Sequence, residues 1–206
     1  HLAWMAIAAF ERTMVSKAEN VPFDRFMKGD AKALTEAAKR GLALFQGEAG
    51  CIQCHNRPLL SDESYHNLGV PKSPVFEEDP LRQITLRYQH LIRGVPEKVY
   101  RSADRDLGLY YTTKQEQDKG KFRTPSLREL TYTAPYMHNG VFFTLEEVIE
   151  FYDKAGGDEP NKSPLLKPLK LTAEEKKDLL AFLLSLSSDK PLIVPQPALP
   201  DYAVLK

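Results

Sequence analysis

Cys51-Ile52-Gln53-Cys54-His55 reads Cys-x-x-Cys-His, the attachment motif of a c-type haem. Two cysteines at this spacing can each form a thioether to a haem vinyl group, and the histidine that follows is placed to ligate the iron from one face. The chain has only two cysteines, and both lie inside the motif. A redox Cys-x-x-Cys and half of a zinc site are the competing readings. A redox pair usually sits near a βαβ pattern, and none is visible. A structural zinc site needs four ligands, and no second Cys-x-x-Cys or His-x-x-x-His pair is present.

Outward from the motif, the 206 residues allow one or two small domains. Lys plus Arg equals Asp plus Glu at 28 each, so the formal charge is zero and gives no support for nucleic-acid binding. No apolar run approaches the roughly 20 residues of a membrane span. The opening Leu2–Phe10 run is apolar but short, with no basic start of the kind a signal peptide carries. It reads as an amphipathic core helix to about Val15. The chain opens on His1 rather than Met, so further sequence upstream is expected. Haem c attachment takes place outside the bacterial cytoplasm, so a periplasmic or otherwise exported protein is expected. With no cysteine left for a disulfide, the fold must rely on its core and the tethered cofactor.

The periodicity is helical nearly throughout. Thr35 is placed to N-cap a helix through about Gln46 with Leu42 and Phe45 inward, and Gly47 to stop it in a left-handed conformation. Arg57 to Pro80 is turn-rich. Leu81, Ile84, Tyr88, Leu91 and Ile92 share one face of a helix over Leu81–Arg93. The stretch Gly94–Gly120 reads as irregular. Thr144-Leu-Glu-Glu147 and Thr172-Ala-Glu-Glu175 are capping boxes. The first opens a helix to about Lys154, ended by Gly156 and Gly157. The second opens a helix carrying Leu179, Leu180, Phe182, Leu183 and Leu186. No repeat and no strand ladder is evident. The expected architecture is all-α, a cytochrome c-like haem domain with long loops. Residues 1–30 form a leading helix and connector, 31–190 the haem domain, and 191–206 a Pro-rich extended tail.

Several segments resemble the bacterial dihaem cytochrome c peroxidase and MauG family. Ile7–Arg12 resembles the helix that crosses between that family's two halves, and Lys39–Phe45 the lead-in to its second haem. Cys54–Pro58 and Tyr65–Pro71 resemble the loop after that haem. Phe122-Arg-Thr-Pro-Ser-Leu-Arg128, Ala134-Pro-Tyr-Met-His-Asn-Gly140 and Thr144–Val148 are the most specific matches. The resemblance covers most of residues 6–155 and implies the C-terminal haem domain of such a protein. The partners implied are a second haem domain, upstream or on another chain, and a redox protein. The peroxide-binding haem and the tryptophan between haems belong to the other half, so Trp4 is expected to be a packed residue.

His55 is the proximal ligand by motif. The resemblance places the distal ligand on the helix after the Pro-Tyr-x-His-x-Gly segment, with methionine in peroxidases and tyrosine in MauG-type proteins. Counting from His138 puts Tyr152 there, with a core tyrosine as the competing reading. Met137 is the rival ligand, though core packing suits it better. A thioether raises the reduction potential, whereas a phenolate lowers it. Arg123 and Arg128 are candidates for neutralising haem propionates, against a solvated surface role. The family's calcium implies ligation by the backbone carbonyls of Thr133 and Pro135. His138 is expected to support haem or backbone geometry or to be buried structurally. His66 is placed at the haem edge or in loop packing, and His90 at the surface. Arg57 stands where the family often has glycine, and Leu109 where it often has arginine. The Ser73–Arg105 stretch is longer than the family's and could dock a partner or cover the haem edge.

One covalent haem c, with calcium as a further cofactor, therefore points to a domain of a dihaem oxidoreductase. The alternatives are a non-catalytic monohaem electron-transfer subunit and a structural haem domain whose insertion binds another subunit.

Overall fold

The computed structural model describes residues 2–192. Most of the expected 191–206 tail therefore lies outside the described residues. Helix α1 (Leu2–Glu11) is shorter than the periodicity suggests, and none of its residues is buried. Trp4 is 75% exposed. The expectations of a core helix and a packed tryptophan are corrected. The helix is apolar, but no element among the described residues covers it.

The body is built from α2 (Pro22–Met27), α3 (Glu36–Gln46), α8 (Leu145–Asp153) and α9 (Ala173–Leu184). Helix α2 starts with Pro22 at its first position, where the missing N–H costs nothing, and it buries Phe23. Thr35 caps α3 as expected, its Oγ1 accepting from Ala38 N at 3.1 Å. Gly47 ends α3, but at φ −103°; the left-handed glycine is Gly50, at φ 61°, immediately before Cys51.

Four helices follow the haem motif, three of them short: α4 (Pro74–Glu78), α5 (Pro80–Ile92), α6 (Glu97–Ser102) and α7 (Tyr110–Thr113). The Gly94–Gly120 stretch is thus partly helical. Strands β1 (Tyr65–Asn67) and β2 (Lys121–Arg123) bracket these helices and pair antiparallel, with His66 opposite Phe122. Three residues per strand are too few for a period-two signal, which is why no ladder is legible in the sequence. Helices α8 (Leu145–Asp153) and α9 (Ala173–Leu184) both begin in complete capping boxes, from Thr144 with Glu147 and from Thr172 with Glu175. Lys176 ties them together, reaching Glu150 at 2.6 Å and Asp153 at 2.7 Å.

The most extensive helix pairing is α3 on α9. Gly41 makes it possible: a Cβ there would lie 1.9 Å from the Asp178 carbonyl oxygen and 2.9 Å from Phe182 Cβ. Arg40 grips the buried Asp178 carboxylate with two hydrogen bonds, at 2.7 and 2.6 Å. Phe182 is fully enclosed, with Phe45 at 5.0 Å and Phe23 at 5.6 Å between ring centroids. Alanine at position 41 would gain about 1 kcal/mol of helix propensity but must push backbone against backbone. Gly41→Ala is expected to lose about 2 kcal/mol net in urea unfolding, the overpacking term outweighing the propensity term.

A second, smaller cluster of Val95, Tyr110 and Tyr111 forms under α5. His90 belongs to it. The expectation of a surface residue is corrected: His90 is 0% exposed, its ring edge-on to Tyr111 at 4.6 Å. Among the described residues neither ring nitrogen nor the Tyr111 hydroxyl has a hydrogen-bond partner. Helix α5 turns His90 inward and its apolar stripe outward, the reverse of the usual arrangement. Burial pushes the His90 imidazole down, with Arg93 and Lys114 adding to that and Asp106 opposing it. The folded state therefore binds fewer protons than the unfolded chain below about pH 6.5, and stability falls as pH drops through that value. His90→Leu is expected to abolish this acid-side loss and to raise stability by about 1 kcal/mol at pH 5.5. Urea unfolding at pH 7.5 and 5.5 checks both.

Candidate functional site

Helix α3 delivers the chain to the motif. After Gly50 the Cys51–Gln53 segment forms one turn of 3₁₀ helix, and His55 N donates to the Cys51 carbonyl at 2.9 Å. Both cysteines are unpaired and half-buried, so two thiols are presented rather than a disulfide. Burial pushes the Cys51 thiol up to about 11 and raises Cys54, where the nearby Asp62 carboxylate adds to the effect. Neutral, sheltered thiols at this spacing suit thioether formation better than redox exchange, which needs a depressed thiol pKa.

His55 is fixed from behind. Its Nδ1 pairs with the Leu60 carbonyl at 2.9 Å, which makes Nδ1 the N–H and leaves Nε2 with the lone pair. Burial lowers its pKa, partly opposed by the Leu60 carbonyl. A neutral imidazole oriented through Nδ1 is the form that binds a metal. The loop that supplies Leu60 is tied down in turn. Ser61 Oγ donates to the Thr124 carbonyl at 2.7 Å, and Asp62 N to the Cys54 carbonyl at 2.7 Å. Arg57, within it, adopts φ 62°. The left-handed region explains why glycine suits this position.

Tyr152 lies on α8, its ring edge-on to buried Phe151 at 5.7 Å. Burial pushes its phenol far up, and the nearby Cys51 and Cys54 sulfurs push in the same direction. The tyrosine is thus within electrostatic reach of both cysteines of the motif. Met137 sits in the preceding loop, half-buried, at φ 68°.

The other candidates separate. Arg128 is committed to structure: its Nη1 donates to Asp24 at 2.7 Å, and Nε and Nη2 donate to the Pro58 carbonyl at 3.2 and 3.0 Å. It pins the loop after the motif onto α2. Arg123 pairs at 3.1 Å with Glu63, both more than half exposed. His138 stacks on Phe122 with centroids 3.6 Å apart. Thr133 and Pro135 lie in an exposed loop.

His66 packs within its loop, beside the Cys54 sulfur. Its Nε2 is 3.1 Å from Asp62 Oδ2 and 3.7 Å from Cys54 Sγ, while Nδ1 is 3.4 Å from Ser163 Oγ. Burial alone would raise Asp62, but hydrogen bonds from Thr124, Ser64 and His66 outweigh it and hold the carboxyl near 2. Cys54, Asp62 and His66 are metal-ligand types within 4.8 Å of one another, yet Cys54 belongs to the haem motif. Sequence reasoning missed Asp62 and Ser163. The Asp62–His66 separation of four residues was readable, but Ser163 lies 97 residues from His66.

The donor set fits a covalently held haem: two free thiols, an imidazole oriented through Nδ1, and a sheltered tyrosine beside them. The site and its helical frame define a haem c domain of cytochrome type. No protein-family model matches the chain. Cytochrome-c peroxidase IdrP1 of Pseudomonas sp. strain SCT is 58% identical over 198 residues, 96% of this chain and 52% of that protein. MauG of Methylorubrum extorquens is 34% identical over 197 residues, 95% of this chain and 46% of that protein. The crystal structure of a MauG-like protein associated with microbial copper homeostasis superposes with a TM-score of 0.63 at 32% identity. It covers 82% of this chain and 49% of that one. The chain belongs to the bacterial cytochrome c peroxidase and MauG family of haem oxidoreductases. It spans about half the length of the curated relatives it matches.

Arg57→Gly is expected to raise stability by about 0.5 kcal/mol, relief of left-handed strain exceeding the added unfolded-state entropy. The β-branched Arg57→Val should lose about 1–2 kcal/mol on the same scale. Thermal unfolding of the haem-loaded chain checks both signs.

Proposed function

We propose that this chain is the C-terminal haem domain of a dihaem oxidoreductase. It passes electrons or oxidising equivalents between its own haem, a second haem and a protein partner in the periplasm. The observation that carries this reading is the convergence of Cys51, Cys54, His55 and Tyr152, in a chain whose relatives are peroxidases and MauG.

When bound, the haem supplies one-electron chemistry at iron. The chain's residues do the rest. Cys51 and Cys54 would tether the haem and His55 Nε2 would ligate its iron, while the Leu60 carbonyl keeps the imidazole from turning. Tyr152 would supply the second protein ligand, in preference to Met137. Its phenol, kept neutral by burial, would have to lose its proton on binding iron, and the resulting oxygen donor would favour the oxidised state. Such a haem suits holding oxidising equivalents rather than accepting electrons at high potential. His66, braced by Asp62 and Ser163, packs against the Cys54 sulfur and would steady that point of attachment. The Arg123–Glu63 pair is solvated and weak, so the guanidinium is free to turn to a cofactor carboxylate. Arg128 acts instead by holding the Pro58 carbonyl. Calcium on the carbonyls of Thr133 and Pro135 would need further oxygen ligands from a second domain. The uncovered apolar surface of α1 supports the presence of such a domain. The alternative of a non-catalytic electron-transfer subunit is less well supported, because the most similar relatives are named peroxidases.

Tyr152→Met tests this reading. The reduction potential of the haem-loaded protein should rise by at least roughly 100 mV, within the ~0.8 V range that axial ligands span. A sulfur-to-iron band should appear in the far-red ferric spectrum only in the variant. An unchanged potential, or that band already present in the unmodified protein, would remove Tyr152 from the iron.

A further inference from the structure

The most sheltered carboxylates of this fold face fixed cations. Asp178 meets Arg40, Asp118 meets Lys121 and Asp153 meets Lys176. Asp62 differs. Its side chain is only 15% exposed, yet its ion-pair neighbour among the described residues is an imidazole, His66. Ser64 N donates to Asp62 Oδ1 at 2.9 Å, and His66 Nε2 to Oδ2 at 3.1 Å. Ser163 Oγ lies 3.4 Å from His66 Nδ1 and donates to it, so a neutral ring satisfies both neighbours. These bonds, with one from Thr124, keep the carboxyl ionised. None of them cancels its charge.

That charge sits where the haem is attached. Asp62 N donates to the Cys54 carbonyl at 2.7 Å, and a carboxylate oxygen lies within 4.8 Å of Cys54 Sγ. The same charge reaches the His55 imidazole. A sheltered anion without a counter-charge is costly unless a positive centre comes near it. Oxidised iron carries one more positive charge than reduced iron, so a fixed anion beside it favours the oxidised state. At an effective dielectric of ~20, unit charges ~10 Å apart shift a one-electron equilibrium by about tenfold. An exposed charge at that distance is a Debye length away and largely screened.

We propose that Asp62 is a potential-setting residue, a sheltered carboxylate beside Cys54 that holds the haem of this chain toward its oxidised state. His66 and Ser163 are the positioning residues that keep it there. The inference rests on the haem reading, through Cys51, Cys54 and His55, and does not depend on Tyr152.

Optical redox titration of the haem-loaded chain reads the effect directly. Asp62→Asn should shift the ferric-to-ferrous equilibrium about tenfold toward ferrous, a rise of about 59 mV for one electron. Asp62→Glu keeps the charge and should stay within about twofold of the unmodified protein. Glu48→Gln removes an exposed carboxylate near the motif in sequence and should also stay within about twofold. Intact mass and unchanged ligand bands in each variant show that haem and ligation are retained. If Asp62→Asn fails to take up haem, Ser64→Lys sets a cation beside the intact carboxylate. It should move the equilibrium about threefold in the same direction. An Asp62→Asn potential within twofold of the unmodified protein, a Glu variant that shifts as far as the Asn variant, a Glu48→Gln shift of equal size, or an indifferent Ser64→Lys would each overturn the proposal. An unmodified chain that carries no haem would instead overturn the haem reading itself.

Discussion

The contact between α3 and α9 at Gly41 is the constraint on which the rest depends. Helix α3 ends five residues before the first cysteine, so its position sets where the haem motif begins. No side chain but hydrogen fits between its backbone and the Asp178 carbonyl. That closeness lets Phe45 and Phe182 meet and lets Arg40 reach a buried carboxylate through its Nε and Nη2. Lys176 then carries the same frame to α8, and with it Tyr152. The motif and the tyrosine are 97 residues apart in the chain, yet they share one electrostatic environment because three helices are locked in series.

The second layer of control is local. Leu60 orients His55, Ser61 fastens that loop to Thr124, and Arg128 fastens its outer edge to Asp24. Which His55 nitrogen keeps its lone pair is thus specified by the loop around it. His66 plays the matching part at the Cys54 sulfur. These are short polar links between loops, and they carry the precision that the helices alone do not provide.

Much of this was legible in the sequence, for identifiable reasons. Capping boxes are local, so Thr144 and Thr172 marked helix starts without knowledge of the fold. The pentapeptide named its cofactor because both cysteines of the chain are in it. Helical period located α5, but period says nothing about which face turns inward. His90 was therefore placed at the surface and Trp4 in a core, and both were reversed. The strands were missed because three residues carry no alternation. Asp62 and Ser163 were missed because their partnership with His66 is made only by folding. Gly47 was given the left-handed turn that belongs to Gly50, three residues on, where the 3₁₀ turn of the motif needs it.

The central claim is a single haem tethered through both sulfurs and gripped by His55. Intact mass with thiol titration, on protein matured in a host competent for haem c, tests it most directly. The account predicts the mass of the chain plus one haem, no titratable thiol, and loss of the absorption spectrum in His55→Ala. Two free thiols on a colourless, folded chain would contradict it.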